Sequence, residues 1–219
     1  MTNGPMTNGL RRYARAEPAA EQQSTPRCEM CGAPLDEQHR HVVALDDRAL
    51  RCVCWACHLL FAPAGAGRGR LRAVPRRYLT DPAHRIAGAD WDLLDIPSMP
   101  VFLFVNSDLQ RVVACYPSPA GATESTLDLD SWARLTVPYP LLRMPEPDVE
   151  AIFVTRTAGG LDGFLVPIDA CFSMVGTLRL HWRPPYGGET VLRALAGFAD
   201  DLRSRSRPLV TEQSPYRGS

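Results

Sequence analysis

Cys28-Glu29-Met30-Cys31-Gly32 and Cys54-Trp55-Ala56-Cys57 are two Cys-x2-Cys pairs with 22 residues between them. A two-residue gap lets both sulfurs of a pair turn toward one ion while backbone amides of the turn donate to them. Gly32 suits such a turn, because glycine takes positive φ without steric cost. Val42-Val43-Ala44-Leu45 and Leu50–Val53 flank Asp46-Asp47 and read as a hairpin that brings the two turns together. The expected result is a tetrahedral site of Cys28, Cys31, Cys54 and Cys57.

Four thiolates suit one Zn2+, the commoner structural use and the expected ion, with a single Fe as in rubredoxin the alternative. Rubredoxin-type second turns carry Gly after the last cysteine, whereas His58 stands here. Cys52 is one alternate residue before Cys54 and is a candidate to replace it or to stand behind it. His39 and His41 lie between the pairs and are further candidate ligands, as is His58. Cys115 and Cys171, each isolated in an apolar stretch, read as small buried side chains. A thioredoxin-type redox pair needs a helix N-terminus after a βαβ strand, which neither pair shows in sequence.

Around this motif the 219-residue chain reads as one or two domains. Residues 1–26 and 206–219 are polar and expected to be tails. Residues 27–62 hold five of the seven cysteines and too few large apolar residues to stand without a staple. Residues 63–77 are a Gly/Arg-rich linker, and residues 78–205 are expected to be an α+β domain with a mixed, mainly antiparallel sheet. There, Val101–Asn106 and Gln110–Tyr116 form one hairpin, and Ala151–Thr155 and Phe164–Ile168 another. Helices are expected near Trp91 (capped by Asp90, ended by Pro97), over Leu129–Leu135, after an Asp169 N-cap, and over Glu189–Ser204. Pro117–Thr126 reads as a loop.

Composition excludes several functions. Lys+Arg and Asp+Glu both number 24, so no global charge favours nucleic acid or an anionic membrane. All 24 basic residues are arginine, which removes phosphate-loop, Schiff-base and carrier-lysine chemistry. No apolar run is long enough to span a membrane and no leader is read at the amino end, so a cytoplasmic protein is expected. Arg68, Arg70, Arg72, Arg76 and Arg77 form a basic run that a zinc-ribbon nucleic-acid binder would use; a solvated linker explains it as well. Two carboxylate groups, Glu124/Asp128/Asp130 and Glu146/Asp148/Glu150, are the sole hint of an enzyme and read as loop surface.

Cys28–Leu35, His39-Arg40-His41, Cys52–Phe61, Tyr116–Ser125, Glu146–Ala151 and Val166–Cys171 resemble an uncharacterised, mainly actinobacterial family, over roughly residues 27–205. Its genes are often found beside those of uptake NiFe-hydrogenases. The resemblance implies an accessory role in hydrogenase maturation, assembly or electron transfer, with a hydrogenase subunit or maturation factor as protein partner. It implies the same four cysteines as ligands and no family activity.

Overall fold

The computed structural model describes residues 25–209 except 97–98, 119–120, 128, 158–159 and 184–187. Most of the expected tails, Pro97, Gly159 and Asp128 lie outside the described residues.

Strands β1 (Arg40–Ala44) and β2 (Ala49–Val53) form the expected hairpin, with Arg40 opposite Val53 and Ala44 opposite Ala49. Asp47 closes its turn by accepting from the Ala49 amide and from Arg51. Helix α1 (Trp55–Leu60) follows at once. A 3-10 turn at Ala66–Gly69 leads into β3 (Leu71–Ala73), which pairs antiparallel with the other edge of β1. Part of the stretch read as linker is therefore the third strand of a small sheet ordered β2-β1-β3. Three residues with one large apolar side chain give too short an alternation to read as a strand.

The larger sheet runs β10-β4-β9-β8-β5-β6-β7. Its strands are β4 (Leu79–Thr80), β5 (Val101–Asn106), β6 (Arg111–Ser118), β7 (Gly121–Thr126), β8 (Glu150–Thr157), β9 (Gly160–Pro167) and β10 (Arg207–Pro208). Every pairing is antiparallel except β10 with β4. The α+β class and both sequence-read hairpins hold. The Pro117–Thr126 loop does not: β7 occupies most of it, with Cys115 opposite Glu124 and Val113 opposite Thr126. Its Thr, Glu and Ser side chains suit an edge strand, where a polar outer row discourages pairing with other chains.

Pleating divides the apolar residues between two cores. Val101, Leu103, Val112, Ala114, Ile152, Val154 and Leu165 face helices α2 (Gly88–Asp92) and α3 (Leu129–Thr136) and the Pro140–Arg143 turn, against Trp91, Leu135, Leu141 and Leu142. Phe102, Phe104, Val113, Cys115, Phe153, Phe164 and Val166 face the other way, onto α4 (Ile168–His181) and α5 (Gly188–Arg205) through Cys171, Ala199 and Leu202. Val43 and Val74 belong to this second core, with Leu45 and Leu50 packed against it. The small sheet is thus seated on the large one.

An ion pair with a buried carboxylate fixes the seat. Glu150 is fully buried and accepts two 2.6 Å bonds from Arg77, whose guanidinium also donates to the Met144 carbonyl. The bidentate geometry and the Glu146 amide satisfy the carboxylate. Arg77→Met leaves that carboxylate buried and unpaired, and is expected to cost about 3 kcal/mol in urea unfolding. Adding Glu150→Leu to it recovers most of the loss; equal stability of Arg77→Met and wild type contradicts this account.

Candidate metal centre

The first cysteine pair sits in a tight turn. Gly32 N–H donates to the Cys28 carbonyl, Cys28 N–H to the Ala33 carbonyl, and Gly32 takes φ of 74°. Glu29 ties the turn to β2 from both ends: its amide donates to the Cys52 carbonyl at 2.9 Å and its carboxylate accepts from the Cys52 amide at 2.6 Å.

The second pair differs from expectation. It occupies a helix start, with Cys54 as N-cap of α1 and Cys57 in the first turn. The strand before it is antiparallel, not part of a βαβ unit, and both sulfurs face the first pair. The arrangement is turn, hairpin, helix.

These elements bring one sulfur each from Cys28, Cys31, Cys54 and Cys57 within 4.8 Å of one another. Cys31 and Cys54 sulfurs are 3.7 Å apart. Tetrahedral bonds of about 2.3 Å set adjacent sulfurs about 3.8 Å apart, so one zinc or iron ion can touch all four. Cys28 and Cys57 are buried, while Cys31 is exposed. Leu35, Val42 and Val53 complete a small core around them.

The cluster's electrostatics favour a cation. Burial pushes the Cys28 thiol up, but the amides of Cys54, Cys31 and Met30 point at its sulfur and bring it down to about 6. For Cys31, the Ala33 amide and the Cys57 sulfur favour the thiolate, yet Cys28, Cys54 and burial hold the thiol above its ordinary value. Burial and then the other three cysteines push Cys57 up to about 12.

The remaining candidates separate from this cluster. His58 is buried, donates from Nε2 to the Val74 carbonyl at 3.0 Å and stacks on Trp55, over which Arg40 lies at 4.6 Å. Cys52, His39 and His41 form a group of their own. Cys115 and Cys171 are buried in the sheet–helix core, and burial raises both thiols, Cys115 to about 12.

Asp169 does not cap α4, whose N-cap is Pro167; its carboxylate bonds His41 Nδ1 at 2.8 Å. That contact spans 128 residues and leaves no trace in local spacing. Asp90, read as a cap, accepts from the Tyr139 hydroxyl instead. Glu150 pairs with Arg77, Glu146 and Asp148 face Arg72, and Glu124 faces Arg48.

The fold and the cluster define an α+β protein with a four-cysteine cluster able to bind a metal ion at its front end. Residues 27–206 match a family of unknown function (DUF5947), and the chain belongs to it. No curated protein and no solved structure matches the chain.

Metal uptake must expel the protons that Cys31 and Cys57 carry at pH 7. Zinc added to the reduced, metal-free protein in weak buffer is expected to release at least two protons per ion, with affinity falling as pH drops. Because Cys31 is exposed, Cys31→Ser removes a sulfur with little packing change. Hydrogen exchange is expected to show lost protection in the turn at residues 28–33 and in α1 in that variant, with the β1–β2 hairpin retained; protection equal to wild type contradicts a metal clip.

Proposed function

We propose that this protein is a non-catalytic accessory protein: its four cysteines hold one structural zinc ion, and the module built around it docks on a protein partner. The convergence of four sulfurs within 4.8 Å carries the reading. A closed four-thiolate set has no position for substrate, so its role is to hold shape.

The surface beside the metal supports docking. Trp55 is 56% exposed, Leu60 68%, and Leu59 shares the Trp55 face of α1 one turn on. Aromatic and apolar side chains standing in water beside a rigid centre are typical of interface anchors.

The arginine run does not favour the nucleic-acid alternative. Arg77 is committed to Glu150, Arg72 to the Pro147 carbonyl and two carboxylates, and Arg70 faces Asp46. Zinc suits the site better than iron because the residue after Cys57 is His58, packed into the interior, where a rubredoxin turn has glycine. Seven unpaired cysteines suit a reducing, cytoplasmic setting; among the described residues no helix is long and apolar enough to cross a membrane.

The partner implied by the resemblance is a NiFe-hydrogenase subunit or maturation factor. Affinity capture from cells making both is expected to recover that partner with wild type and lose it with Trp55→Ala/Leu60→Ala. Failure to recover any hydrogenase component with wild type sinks the hydrogenase assignment. Metal analysis and absorption spectra check the ion: zinc leaves the protein colourless, and a red protein with charge-transfer bands replaces it with iron.

A further inference from the structure

We propose that His39, His41 and Cys52 form a second metal site, separate from the four-cysteine cluster, that takes one zinc-type divalent ion and keeps a coordination position open to solvent. One ligand atom from each of the three residues lies within 4.8 Å of the others. The backbone explains why. His41 and Cys52 are directly opposite in the β1–β2 register, and His39 stands just ahead of β1, two residues before His41. The two imidazole centroids are 4.9 Å apart.

Both histidines are set up for metal through the same nitrogen. His41 Nδ1 faces the Asp169 carboxylate at 2.8 Å, which places its proton on Nδ1 and its lone pair on Nε2. His39 Nδ1 faces the Asp36 carbonyl at 3.0 Å, with the same consequence. A carbonyl or carboxylate behind one ring nitrogen, fixing tautomer and orientation, is the usual support for a metal-binding histidine. His39 Nε2 is enclosed and has no hydrogen-bond partner, a cost that a ligand on that nitrogen removes. Two imidazoles and one thiolate suit zinc, copper or nickel.

Three protein ligands leave a tetrahedral ion one position short, the arrangement of sites that bind water or a small ligand. His39 and His41 line an open cleft of about 630 Å³ whose wall carries charges of both signs, Arg76 and Arg205 with Glu37 and Asp201. The site makes no use of the docking role assigned above.

Cobalt titration of the reduced, metal-free full chain, with metal counting, tests it. Wild type is expected to bind two ions. His39→Gln and Cys52→Ser each bind one and keep the four-thiolate charge-transfer bands, whereas Cys31→Ser loses those bands and keeps one ion. Asp169→Asn, a positioning change, weakens only the second ion, by about 10–100-fold. One ion in wild type that His39→Gln leaves in place overturns the proposal, as does a second ion indifferent to both His39→Gln and Cys52→Ser. One ion lost with His39→Gln but kept in Cys31→Ser upholds this site and sinks the four-cysteine one; no ion at all sinks both.

Discussion

Four sulfur atoms gathered in one place are the constraint on which the front of this molecule depends. Two thiolates about 4 Å apart repel by about 4 kcal/mol at an effective dielectric of about 20, and four of them multiply the penalty. Thiols avoid the charge but gain little from being crowded. A cation in their midst adds an attraction to each sulfur that outweighs their mutual repulsion, and the turn, the hairpin and the start of α1 become parts of one object. Leu35, Val42 and Val53 add too small a core to do this alone.

The same object is joined to the rest of the chain through its other face. Along β1 the side chains alternate: Val42 points into the cysteine core and Val43 into the core beneath the large sheet. Val74 and the Arg77–Glu150 pair extend the attachment along the chain. A change at the cysteines therefore reaches the sheet through strands β1 and β3, and the front end is better regarded as a wedge than as a bead on a string.

Local pattern made the long apolar hairpins and the last helix readable, because each carries its own signal: a continuous apolar run in Val101–Val105, helical spacing in Val191, Leu195 and Leu202. The cysteine spacing likewise disclosed its cluster. Elements whose reason for existing is a distant partner escaped. β7 is polar and is a strand because β6 offers it an edge. β3 and β4 are short and owe their state to β1 and β9. Asp169 was legible as a cap and serves a histidine 128 residues away. His39, His41 and Cys52 were each visible as candidates for the wrong site; only the register of β1 against β2, which spacing does not encode, separates them from the four cysteines.

Strand β4 is two residues long, and both of its neighbours in the sheet, β9 and β10, come later in the chain. A ribosome delivers the cysteine turn, the first hairpin and α1 well before residues 160–167, and β10 at 207–208 last of all. Domains fold from the amino end as they emerge. All four sulfurs are thus delivered while the large sheet is still unbuildable, and the front end precedes the strands that will lock it down.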